Sequence, residues 1–213
     1  MKSRFFQTCL ILFGVAIFAE AAPTIEALNA HIALRQNDLN VLNQKAEDLR
    51  QKILDRETQV LLPQKTQAID EGLNWSDWEA RRNWFEQNKI REHSIPGVGK
   101  SGERHLTDGT SVDWLEELKT ISKNIRLLNN EINACSYGIS CISFITQNQQ
   151  VVNEILGKMQ VKPGNQVWDE KSKTWKQLPS TRGTTTPQEN ALLNEYRKRV
   201  NFLNTNPLMR KIK

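Results

Sequence analysis

Residues 24–62 read TIEALNAHIALRQNDLNVLNQKAEDLRQKILDRETQVLL, and their apolar members fall on alternating three- and four-residue steps. With Ile25 as position a, the a sites are Ile25, Ile32, Leu39, Ala46, Ile53 and Val60, and the d sites are Leu28, Arg35, Leu42, Leu49 and Arg56. Such spacing lines up one side of an α-helix, as in coiled coils. The stretch predicts a helix about 57 Å long at about 1.5 Å per residue. Pro63, which has no backbone N–H, is the expected end. Two arginines at d disfavour a simple self-paired zipper, because guanidinium groups would meet across the seam. They suit a stripe packed within its own chain, with the arginines reaching outward at its margin.

A second stripe runs through Trp114, Leu118, Ile121, Ile125, Leu128, Ile132 and Cys135, with Asp113 as the expected N-cap and Glu116 three residues on. Its register continues through Ile139 and Ile142. The sequence permits one helix reaching about Gly157, or two broken near Gly138. Cys135 and Cys141 bear on the choice. On one continuous helix they would be separated by about 9 Å along the axis and lie on different faces, beyond disulfide reach. An isolated cysteine pair in an oxidising compartment tends to bond, so a Cys135–Cys141 disulfide with Gly138 in the turn is the expectation.

Between the stripes, Ser76 with Glu79 marks the start of a shorter helix carrying Trp78, Trp84 and Phe85. Residues 93–110, with Pro96, Gly97, Gly99, Gly102 and Gly109 among polar neighbours, read as a flexible exposed loop. Towards the C-terminus, residues 166–177 predict a β-hairpin turning at Lys171-Ser172 with Trp168 opposite Trp175. Residues 187–204 predict a helix opened by Thr186, Pro187 and Glu189, with Leu192, Leu193, Tyr196, Val200 and Leu203 on one face. The fold class is therefore mainly α: an elongated helical hairpin or bundle with coiled-coil-like packing, plus a small C-terminal β-hairpin and terminal helix.

Ahead of this body, Lys2 and Arg4 precede an apolar run from Leu10 to Phe18 and then Ala19-Glu20-Ala21-Ala22. That pattern predicts a signal peptide over residues 1–21, hence a secreted or periplasmic protein. Residues 22–160 form the helical body and 161–213 a basic appendage. No stretch approaches the roughly 20 apolar residues of a membrane helix, so no transmembrane segment is expected in the mature chain. The 38% hydrophobic content and mean hydropathy of −0.58 suit helices with large wetted faces.

The net charge of +5 is unevenly placed. Residues 22–157 carry 15 Lys and Arg against 19 Asp and Glu, whereas 158–213 carry 12 against 4. Arg197, Lys198 and Arg199, with Arg210, Lys211 and Lys213, form a basic end suited to an anionic surface or an acidic protein partner. No aromatic stacking platform interleaves these cations, because Tyr196 and Phe202 belong to the apolar helix face. Nucleic acid is accordingly not the expected partner.

No catalytic, cofactor or metal signature is present. Pro96-Gly97-Val98-Gly99-Lys100-Ser101 resembles the end of a phosphate-binding loop, but Ser94 stands where the first glycine belongs and no hydrophobic strand precedes it. His31 reads as a helix-surface residue. His93 and His105, with Glu92, Glu103 and Asp108 nearby, lack the tight spacing of metal ligands. Asn74-Trp75-Ser76 is a possible glycosylation acceptor at Asn74.

The expectation is an exported, non-enzymatic helical binding or scaffold protein that presents the 93–110 loop and the basic end to a partner protein or an anionic surface, without a cofactor. One alternative is a structural subunit of a multi-protein secretion or surface assembly, including a homo-oligomer formed through residues 25–62. The other is an enzyme using the carboxylates and histidines of the loop.

Overall fold

A computed structural model describes residues 23–212 apart from 101, 160, 163–165, 170–173 and 178–180, with side chains described outside 160–182. The expected signal peptide, Lys213 and the Lys171-Ser172 turn lie outside the described residues. Helix α1 spans Ile25–Arg56, a π-helical turn follows at Glu57–Leu61, then α2 Leu62–Asp70 and α3 Trp78–Asn88. Strands β1 Arg91–His93 and β2 His105–Thr107 precede the long helix α4, Gly109–Met159. Four short strands come next: β3 Val161–Lys162, β4 Gln166–Asp169, β5 Thr174–Gln177 and β6 Thr181–Arg182. Helices α5 Pro187–Thr205 and α6 Pro207–Lys211 end the chain. No helix among the described residues is long and apolar enough to cross a membrane. The mainly helical class follows the heptad reading.

The chain divides into two compact units, residues 33–132 and a second unit built from the chain before and after them. In the 33–132 unit, Ala46, Leu49 and Ile53 of α1 pack on Leu115, Leu118 and Ile121 of α4. These are a and d residues of one stripe facing Leu118 and Ile121 of the other, together with Leu115, which takes the buried place expected for the partly buried Trp114. The arginines at d do not simply reach into water. Arg35 pairs with Asp38 and, across to α4, with Glu131, each at 2.9 Å, while Arg56 pairs with Asp108 at 2.6 Å.

Pro63 does not end the helix. In a regular α-helix its missing N–H would orphan the carbonyl four residues back and its ring would press on that group. The π turn resolves the conflict: the Leu62 N–H bonds to the Glu57 carbonyl, and Pro63 falls in the first turn of α2, where no N–H is required. The helical path continues to Asp70, and Leu61 is held in a second core with Trp84, Ile90 and Leu106. Trp75 packs edge-on against Trp84 and Phe85 at centroid separations of 5.5 and 5.6 Å.

Helix starts deviate from the reading by a few residues. Asp77, not Ser76, caps α3, accepting from the N–H groups of Glu79 and Ala80. Helix α4 begins at Gly109, where the Ser111 N–H donates to the Asp108 carboxylate and the Asp108 N–H donates to the Ser111 hydroxyl. Asp113 therefore lies inside the helix rather than at its cap.

In the other unit, Leu28, Cys135, Cys141, Ile145, Val152 and Ile155 share a core with Leu193, Tyr196 and Leu203 of α5 and Met209 of α6. Thr186 and Glu189 form the expected capping box of α5, which runs to Thr205. Strands β4 and β5 pair with Trp168 opposite Trp175 in backbone register, as the alternation predicts. The β3–β6 pairing was not foreseen. Nor was α6, capped by Asn206, whose Met209 is fully buried.

The Cys135–Cys141 disulfide does not form. Helix α4 runs unbroken through Gly138, and Cys135 and Cys141 are both buried and outside any disulfide. A helical glycine costs about 1 kcal/mol relative to alanine, but here it admits a neighbour: a Cβ at Gly138 would stand 2.7 Å from Met209 Sδ and 3.3 Å from Leu28 Cδ1. Close packing thus favours the continuous helix at the point where a break was expected.

Candidate functional site

The segment expected as an exposed loop, 93–110, is a loop through its middle, where most described residues from 94 to 104 are exposed, but its two ends pair as a short hairpin and its last two residues open α4. Arg91 pairs with Thr107, Glu92 with Leu106 and His93 with His105. Ile95, His105, Leu106 and Thr107 are buried. Arg50 of α1 ties down the bend, its Nε donating to the Pro96 carbonyl at 2.8 Å. Gly97 has φ +81°, a conformation that favours glycine, and a Cβ there would lie 2.9 Å from that guanidinium and push it aside. The resemblance to a phosphate-binding loop goes no further: the Lys100 N–H is taken by the Glu103 carboxylate at 2.9 Å.

Beneath the hairpin, the π turn brings Glu57 inward. Its carboxylate accepts from the Leu106 N–H at 2.8 Å and meets His105 Nδ1 at 2.8 Å. His93 Nδ1 meets the Thr107 hydroxyl at 2.6 Å. Burial, reinforced by Lys119, Arg91 and Arg104, lowers the His93 pKa from its ordinary 6.5 and favours the neutral ring. Burial pushes Asp108 up, but hydrogen bonds from Arg56 and Ser111 outweigh it and hold the carboxyl below its usual range. Of the carboxylates and histidines singled out by sequence, His93, His105, Glu103 and Asp108 are spent on separate bonds in and around the hairpin and not on one another. Glu92 and Glu103 are exposed, and no group of three or more metal-binding side chains occurs among the described residues.

Beside the hairpin lies an open cleft of about 1020 Å³, walled by α3, β1 and the first turns of α4. Sequence reasoning missed it. Trp78 is 62% exposed at its rim, with the Arg82 guanidinium 5.5 Å from its ring centroid. Four cations and four carboxylates line it, but they are not equally committed. Arg82 pairs with Glu86, Arg56 holds Asp108, and Lys119 holds Glu116. Arg81, Lys89 and Arg91 have no ion pair among the described residues, and the remaining acid is Glu92.

At the C-terminal helices, Arg197, Lys198, Arg210 and Lys211 are exposed and make no ion pair among the described residues. Arg199 is occupied: it pairs with Glu195 at 2.7 Å, donates to the Ser140 carbonyl and hydroxyl, and lies over the Phe144 ring at 4.3 Å. Arg210 Nε donates to the Asn204 carbonyl. Asn74 is exposed, its Oδ1 accepting from the Ser76 N–H at 3.1 Å. No protein-family model, curated protein or solved structure matches the chain.

Proposed function

We propose that this chain is an exported, non-enzymatic helical binding protein that docks on an anionic surface through the basic face of α5 and α6. The observation that carries this reading is the set of exposed cations Arg197, Lys198, Arg210 and Lys211, without an ion pair among the described residues, on two helices whose apolar sides are anchored by Leu193, Tyr196, Leu203 and Met209. Each cation close to an anionic membrane contributes about 1 kcal/mol, an attraction that salt screens. Support for a binding role over an enzymatic one comes from the hairpin, where Glu57, His105, His93 and Asp108 are engaged in holding the backbone and each other.

The test is co-sedimentation with phosphatidylglycerol-containing vesicles and with neutral phosphatidylcholine vesicles. Binding is expected for the anionic vesicles alone, falling steeply as salt rises from about 0.05 to about 0.5 M, and lost on changing the four cations to glutamate. Salt-independent binding, or binding unchanged by that substitution, overturns the reading.

A second reading, a structural subunit of a secretion or surface assembly, draws on Leu34 and Val41. They lie one heptad apart on α1 and are 55% and 61% exposed. Light scattering in line with size exclusion tests it: a concentration-dependent oligomer dispersed by Leu34→Glu with Val41→Glu supports it, and a monomer counts against it.

A further inference from the structure

We infer that the cleft beside the hairpin takes an extended acidic segment of a partner protein, which adds as a third strand along β1. The inference begins with the hairpin's hydrogen bonds. The Leu106 N–H is spent on Glu57, so Glu92 and Leu106 form a pair whose backbone groups point away from each other. On the β2 side that outward N–H is closed by the Glu57 carboxylate. On the β1 side the outward N–H and C=O of Glu92 have no hydrogen-bond partner among the described residues, and β1 is a wall of the cleft. An open strand edge is a template for a further strand.

Charge sets the occupant. Once each internal pair is subtracted, the cleft retains Arg81, Lys89 and Arg91 against Glu92. Neutral His93 adds no charge to the balance. An incoming strand with acidic residues at alternate positions meets these cations on one side, while Trp78, exposed at the rim, offers an apolar or aromatic residue a contact surface. The cleft is open and about 1020 Å³, room for several residues of extended chain.

The probe is a fluorescein-labelled peptide, Glu-Val-Glu-Phe-Glu-Val, read by anisotropy against the full chain, with its Lys-for-Glu counterpart as control. The acidic probe binds, and the basic one is at least about tenfold weaker. Arg81→Glu with Arg91→Glu weakens the acidic probe by about tenfold or more. Glu92→Pro removes the outward N–H without touching the β1–β2 ladder and weakens it to a similar degree. N-methylation of alternate probe amides removes the complementary donors and reports the same bonds with the protein unaltered, which keeps the test decisive should Glu92→Pro fold poorly. Absence of acidic-probe binding, equal binding of the two peptides, or indifference to N-methylation overturns the inference. Equal displacement of the probe by heparin from the wild type and from Glu92→Pro would assign the cleft to polyanions in general and also overturns it. The cations of α5 and α6 are untouched throughout, so this outcome is independent of the vesicle experiment.

Discussion

Gly138 and Met209, 71 positions apart in sequence, are in such close approach that a Cβ on the glycine would stand 2.7 Å from the thioether sulfur. The contact joins the middle of α4 to the last helix of the chain. Gly138→Val is expected to displace Met209 and destabilise the protein by about 1–3 kcal/mol, as overpacking does. Met209→Ala leaves a cavity and costs about 2–5 kcal/mol. Urea unfolding of each variant and of the pair checks this. Coupling between the two is expected, because the smaller side chain at 209 makes room for the larger at 138.

Glu57→Ala leaves the buried Leu106 N–H without its acceptor and removes the partner of His105. The expected loss is about 1–3 kcal/mol. Glu57→Gln keeps an acceptor for the N–H and is expected to cost less. Amide exchange at Leu106 reports the effect at its source: protection falls in the alanine variant and is largely retained in the glutamine variant.

Cys135 and Cys141 are fully buried, and burial, the main cause, raises the Cys141 pKa from its ordinary 9.0. Thiolate is the reactive form. Both side chains are therefore expected to resist iodoacetamide in the native protein and to label together once it is unfolded, without prior reductant. Peptide mapping of the two sites reads the outcome, and a disulfide-linked peptide would contradict the continuous helix.

The acid side of the stability profile has two steps with the same sign. The His93 pKa is lowered from 6.5 in the folded state, so the unfolded chain binds more protons just below that value. Its contribution is complete above about pH 6.5 and is lost as pH falls towards the folded pKa. Asp108, lowered from 3.8, contributes above that value and loses its contribution as pH falls through its folded pKa. His93→Gln is expected to flatten the upper step and leave the lower one. Urea midpoints measured across the acid range, wild type against variant, test the assignment.

Asp77→Ala is expected to cost about 1 kcal/mol, and Ser76→Ala close to nothing, because the aspartate carboxylate accepts the first-turn N–H groups of α3. Thermal unfolding of the two variants separates them. The one-residue shift illustrates what the sequence conveys and what it withholds. Ser76 and Asp77 both have cap chemistry, and only backbone geometry chooses between them. The Thr186–Glu189 box was legible because both of its bonds close within four residues of chain. The packing of Ala46, Leu49 and Ile53 on Leu118 and Ile121 was legible in outline from periodicity, whereas Leu115 was passed over for its neighbour Trp114. By contrast, Glu57 and His105 are separated by 48 residues, and β1 and β2 hold three residues each, too few for an alternating pattern to emerge. The disulfide was argued from the compartment, whereas the helix runs unbroken through Gly138, where Met209 packs, a contact for which no local signal near Gly138 exists. The basic C-terminal end was visible as a charge count. The cleft was not, because its cations and carboxylates are interspersed and only distances reveal which neutralise each other.

The carboxylate of Glu57 closes one side of a sheet that is open on the other. Fibrous aggregation through strand edges requires two usable edges per molecule, one to receive and one to extend. With its outward donor, the Leu106 N–H, already taken by Glu57, β2 is the poorer edge of this hairpin, so pairing between copies is expected to run along β1 and to stop at two chains. A buried side chain delivered by one irregular helical turn thus works against polymerisation through this sheet by removing a donor that a growing filament would need.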